Sequence, residues 1–213
     1  MAKVKVKICG ITNWRDARLA CAQGANFLGF NFYPRSLRYI TPARARRIVK
    51  RLPRGVGAVG VFVNEDQGKL LEIARYVGLD CVQMHGEEKV SAIGRIEKSL
   101  PVIRAVRVNR AFRPRTLTQY ACASAILLDG FDCRLRGGTG KTFDWRVARS
   151  CSSRSRIFLA GGLTPENIGE AIRTARPYAV DICSGVEARP GKKDTKKLKA
   201  LMREVRAARK TKR

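Results

Sequence analysis

Val4-Lys5-Val6-Lys7-Ile8-Cys9-Gly10-Ile11-Thr12-Asn13-Trp14 sets the pattern for the whole chain. A β-rich run over 4–9 leads into a tight loop, and Asn13 stands where the N-cap of a helix over 14–23 belongs. An open dinucleotide-binding sheet would place G-x-G-x-x-G after this strand, but the loop reads Cys9-Gly10-Ile11-Thr12. Working outward, the same unit recurs seven times. Strand-like runs are expected at 27–33, 56–63, 81–85, 102–108, 125–129, 157–160 and 179–183. The helices between them open at Thr41-Pro42, a cap and first-turn pair, and span 67–77, 88–99, a weaker 112–121, a short one from 144, and 165–173. A last helix starts at about 194 and runs into the tail.

Strands alternating with helices pair in parallel through right-handed crossovers. Eight such units imply a single-domain (β/α)8 TIM barrel over residues 1–206, with 207–213 a basic, frayed C-terminal tail. At 213 residues, with 45% apolar composition, the chain holds one core and no large insertion. No apolar run approaches the ~20 residues of a membrane helix. Residues 1–7 are too short and too regularly charged for a signal peptide, so a cytoplasmic protein without a membrane partner is expected. Seven cysteines, an odd number without C-x-x-C spacing, stand beside one histidine. That argues against a zinc site or a disulfide framework and for thiols in a reducing compartment.

The net charge of +27 admits two readings. Clustered Lys and Arg neutralise nucleic-acid phosphates, whereas a solvated basic surface also attracts small anions. No RRM, KH, zinc-finger or basic-zipper pattern accompanies the charge, which weighs against a nucleic-acid partner.

In a (β/α)8 barrel the chemistry sits at the C-terminal ends of the strands. Those positions are Cys9, the segment Pro34-Arg35-Ser36-Leu37-Arg38-Tyr39, His85, Asp129, Gly161-Gly162 and Ser184-Gly185. The last two pairs, with Gly137-Gly138-Thr139-Gly140, suit either tight turns or a phosphate held by backbone N–H groups. A Walker A loop is excluded because Leu135 stands five residues before Gly140, where that motif needs glycine. Cys9 is a candidate base and Asp129 a candidate proton donor, each with a packing or capping role as the alternative.

These residues lie within a longer collinear series. Lys7-Ile8-Cys9-Gly10-Ile11-Thr12 is followed by Phe32-Tyr33-Pro34, Arg38-Tyr39, Val59-Gly60-Val61-Phe62-Val63 and Gln83-Met84-His85-Gly86. Leu127-Leu128-Asp129, Phe143-Asp144-Trp145, Gly161-Gly162-Leu163, Val180-Asp181 and Ser184-Gly185-Val186-Glu187 complete it. The series resembles the phosphoribosylanthranilate isomerase family of tryptophan biosynthesis over about residues 3–200. The resemblance implies an Amadori rearrangement of N-(5-phosphoribosyl)anthranilate, a phosphorylated anionic small molecule. It implies Cys9 as general base, Asp129 as general acid, Arg38 as partner of the anthranilate carboxylate, and no metal or organic cofactor. The phosphate falls to Gly138, Gly140, Gly161, Gly162, Ser184 and Gly185. His85 stays open between substrate contact and core packing, and the assembly between monomer and homodimer.

Two departures stand out. Cys183 replaces the first Ser of the usual Ser-Ser-Gly-Val-Glu, and Met84 replaces a usual Leu with little change of volume. Two competing functions are weighed. A nucleic-acid-binding barrel predicts salt-sensitive binding without turnover. A histidine-pathway phosphosugar isomerase would carry Asp where Cys9 stands.

Overall fold

The computed structural model describes residues 3–109, 111–130, 144–151 and 155–210. Eight parallel strands close a barrel in sequence order: β1 (Lys5–Ile8), β2 (Phe27–Asn31), β3 (Gly57–Phe62), β4 (Cys81–Met84), β5 (Val102–Arg107), β6 (Ala125–Asp129), β7 (Ile157–Ala160) and β8 (Ala179–Ile182). Strand β8 returns to β1 with Ile8 opposite Ile182, which closes the ring. The expected (β/α)8 architecture is the one observed.

Among the described residues, six helices follow strands around the outside: α1 (Trp14–Ala22), α2 (Pro42–Val49), α3 (Gln67–Val77), α4 (Val90–Glu97), α5 (Trp145–Cys151) and α6 (Ile168–Ala175). The last helix, α7 (Thr195–Lys210), packs beside α6. Local chemistry fixes their starts. Asn13 accepts from the Asp16 N–H at 2.9 Å, Thr41 caps α2 with Pro42 in its first turn, and Asp66 accepts from the Lys69 N–H at 3.0 Å.

The apolar core has two parts. A shell between strands and helices holds Val6, Ile8, Leu28, Phe30, Ile93, Ile126 and Leu198 among others. A smaller cluster inside the barrel holds Val59, Ile103, Leu127 and Phe158. Period-two alternation along each strand produces this division.

Several expectations shift. The weak helix over 112–121 is a 3₁₀ helix, Pro114–Tyr120. The Thr116 and Thr118 hydroxyls there donate to the Arg113 and Arg115 carbonyls, and Leu117 is its one buried residue, so little favours a longer α-helix. Helix α4 starts at Val90 rather than 88, because Glu88 turns back to pair with Arg104. Beyond β8 stand a 3₁₀ turn (Ser184–Val186) and a small hairpin, β9 (Glu187–Arg189) with β10 (Lys192–Lys193), neither expected from sequence. The expected fraying from residue 207 is corrected through Lys210. Ala208 is buried there and Arg209 donates to the Val4 carbonyl, so tertiary contacts hold the last turn of α7. No helix among the described residues is long and apolar enough to cross a membrane.

Candidate active site

Strand β1 sends Lys7 and Cys9 to the barrel interior while Val6 and Ile8 face the helices. Cys9, one residue past the strand, is partly exposed at the rim. Gly29 makes room for it: a Cβ on Gly29 would lie 2.6 Å from the Cys9 sulfur. The neighbouring strand end supplies Cys183, whose thiol hydrogen-bonds the Cys9 sulfur. That bond, together with the Lys7 and Lys193 ammonium groups, outweighs burial and holds Cys9 well below the ordinary thiol range. The same contact, together with burial, pushes the Cys183 thiol well above that range.

Beneath Cys9, Lys7 is fully buried and donates to Asp181 Oδ2 at 2.8 Å and to Gln83 Oε1 at 2.9 Å. Burial pushes the Asp181 carboxyl up to about 6, against the pull of Lys7. On the far side of the mouth, Asp129 ends β6 with its side chain 20% exposed. His85, just past β4, brings Nε2 within 3.4 Å of Asp129 Oδ2. Its Nδ1 lies 2.7 Å from Gln83 Nε2. Gly161, with φ +89°, stands against the acid's other oxygen, where a Cβ would come within 2.9 Å of Asp129 Oδ1.

Arg38 reaches the rim from the loop after β2. Its Nε and Nη2 already grip Glu187, with Nε to Oε1 at 3.0 Å and Nη2 to Oε2 at 2.6 Å. The Nη1–Nη2 edge is the one geometry leaves for a ligand carboxylate. Glu187 also accepts from Lys193 Nζ at 3.1 Å and from the Gly191 N–H at 3.2 Å. Burial pushes its carboxyl up, but the Arg38 bond and Lys193 prevail and hold it below the usual carboxylate range. Gly161 and Gly162, with φ +89° and +63°, follow β7, and Ser184 and Gly185 follow β8. The two loops touch, since a Cβ on Gly185 would collide with the Leu163 carbonyl. Gly138 and Gly140 lie outside the described residues.

Residues 6–204 match the family model for N-(5'-phosphoribosyl)anthranilate (PRA) isomerase. The chain is 46% identical to the N-(5'-phosphoribosyl)anthranilate isomerase of Trichlorobacter lovleyi, across 96% of this chain and 99% of that one. It is 47% identical to the Thermotoga maritima enzyme, across 95% and 98%. The chain belongs to the N-(5'-phosphoribosyl)anthranilate isomerase family. A crystal structure of the Thermotoga maritima member superposes with a TM-score of 0.88, covering 96% of this chain and 99% of that one. Another solved member, 44% identical with a TM-score of 0.83 and coverage of 96% and 99%, holds reduced 1-(o-carboxyphenylamino)-1-deoxyribulose 5-phosphate.

Against this family background, the barrel rim gathers Cys9, Arg38, His85, Asp129, Gly161, Gly162, Ser184 and Gly185 from six βα loops. Sequence reading quoted Lys7, Gln83, Asp181 and Glu187 within motifs but gave them no role. One signal was available for Lys7. A lysine two residues before the candidate base, in a strand with helix-facing valines, must point into the barrel. Nothing local marked Glu187 as the shared partner of Arg38 and Lys193.

Proposed function

We propose that the chain rearranges N-(5-phosphoribosyl)anthranilate to 1-(2-carboxyphenylamino)-1-deoxyribulose 5-phosphate, with Cys9 as general base and Asp129 as general acid. Asp129 gives its proton to the ribose ring oxygen as the C1–O bond breaks and the anilino nitrogen supplies the electron pair. The resulting iminium acidifies the C2 proton, which the Cys9 thiolate removes. The enol then collapses to the ketone as C1 takes up a proton. Both residues thereby perform proton transfers of the kind positioned side chains accelerate.

The observation that carries this reading is the pairing of two rim groups in opposite environments. Cys9 sits among cations that favour its anion, and Asp129 has the His85 imidazole beside it. The exposed Gly162 and Ser184 loops offer backbone donors for the phosphate, and the resemblance adds Gly138 and Gly140, which lie outside the described residues. Arg38 offers its outer edge to the anthranilate carboxylate, and Glu187 holds the guanidinium for it. The reading also places the chain in the cytoplasm, supported by free thiols at Cys9, Cys21, Cys81, Cys122 and Cys183. A related Thermotoga maritima isomerase is described as dimeric, which supports a homodimer here over a monomer.

The test is turnover of freshly prepared phosphoribosylanthranilate by the purified chain. Absence of turnover would overturn the reading.

A further inference from the structure

A line of buried polar contacts crosses the barrel from the base to the acid. Lys7 Nζ has three protons and no lone pair. Two of them point at Asp181 Oδ2 and Gln83 Oε1, at 2.8 Å and 2.9 Å, and the third direction serves the Cys9 sulfur. The ammonium can only donate, so the atom of Gln83 facing it must be the carbonyl oxygen. Gln83 is 1% exposed and cannot turn over without losing that bond. Its NH2 therefore faces His85 Nδ1 at 2.7 Å. An amide NH2 also only donates, so Nδ1 must be the bare, accepting nitrogen. The ring proton then sits on Nε2, which points at Asp129 Oδ2 from 3.4 Å.

We propose that Lys7 and Gln83 are positioning residues that lock His85 in its Nε2–H tautomer, so that His85 presents an N–H to Asp129 Oδ2. This rests on the assignment of Asp129 as the acid. When Asp129 has given up its proton, the same N–H donates to the carboxylate that remains. The 3.4 Å contact shortens to a hydrogen bond as that charge develops. Lys7 thus serves both ends of the reaction: directly at the thiolate, and through two neutral groups at the carboxylate.

His85 is the single histidine of the chain, so selective ¹⁵N-histidine labelling gives one imidazole to read. In the full-length protein the expected spectrum shows a protonated Nε2 and a bare Nδ1. Two variants sharpen the test. Gln83→Glu keeps the shape and the bond to Lys7 but replaces the donor with an acceptor, so Nδ1 should gain a proton. Gln83→Leu removes the donor, and the two tautomers should mix. In both variants kcat should fall about tenfold with KM nearly unchanged, the signature of an interaction made in the transition state. A protonated Nδ1 in the wild type, or a bare Nδ1 in Gln83→Glu, would overturn the proposal. So would a wild-type kcat in Gln83→Leu. Failure of the underlying acid assignment has a separate readout, near-wild-type kcat in Asp129→Asn.

Discussion

In the proposed mechanism the two sides of the barrel mouth solve opposite problems. On the β1–β8 side, Cys9 stands beside two lysines whose side chains are wholly buried, Lys7 and Lys193, and beside a second thiol. On the β4–β6 side, Asp129 is 20% exposed at its side chain, and a histidine 26% exposed at its side chain lies beside it. A base must hold its anionic form before substrate arrives, and fixed positive charge achieves that. An acid must arrive protonated, and an adjacent permanent cation would strip the proton away. Among the described residues, Lys7 connects to Asp129 through the Gln83 amide and the His85 ring. Placement of charge, more than identity of the reacting group, distinguishes the two halves.

The largest expected effects come from removing the two proposed reacting groups. Cys9→Ser and Asp129→Asn should each lower kcat by about 10²–10⁴-fold, the usual worth of a positioned acid or base. Binding of a product analogue, followed by calorimetry, should survive in both. Near-wild-type kcat in either variant would dissolve the contrast between the two sides.

Arg38→Lys comes next. Lysine cannot grip Glu187 and a carboxylate along two edges, so substrate binding should weaken by roughly 1–3 kcal/mol. The loss should show in KM. An unchanged KM with collapsed kcat would move Arg38 into the chemistry itself.

Cys183→Ala tests the base side alone. Without the Cys183 hydrogen bond, the Cys9 midpoint should rise toward the ordinary thiol value. Each unit of that rise would cut the thiolate fraction about tenfold at pH values below the midpoint. Thus kcat/KM should fall near neutral pH and recover at alkaline pH, where the thiolate forms unaided. Alkylation of Cys9 against pH, followed by mass spectrometry, measures the midpoint directly. A midpoint that stays put would leave the lysines as the sole cause of the depression.

Salt should give the smallest change. The net charge of +27 attracts a substrate bearing phosphate and carboxylate, and such steering is screened beyond a Debye length of ~8 Å at physiological ionic strength. Raising chloride should lower kcat/KM and leave kcat almost unchanged. The Cys9 midpoint should hardly move, because Lys7 and Lys193 are buried. Nucleic acid that bound tightly at physiological salt and competed with substrate would instead give the exposed charge a partner of its own.

The barrel was legible because its signals are local and repeat. Eight β-rich runs, the caps at Asn13 and Thr41, and the Gly-rich turns lie within a few residues of what they specify. The rim position of Cys9 and Asp129 followed from the fold rule alone. What failed to show in sequence was local structure decided by distant partners. Glu88 shortens α4 because Arg104 lies across from it, and the last turn of α7 holds because Val4 accepts from Arg209.

By itself, the sequence determined the parallel βα order, the residues at each strand end and the family series through Glu187. Periodicity and turn chemistry act between near neighbours, so one dimension suffices to record them. Only the tertiary structure decided which of those residues are partners. Closing the ring sets Lys7 against Gln83, 76 positions away, and against Asp181, 174 away. It likewise commits one edge of Arg38 to Glu187, 149 positions along the chain. These pairings arise from barrel closure and exclusion of water, under which a buried ammonium or carboxylate must find its partner wherever the fold brings one.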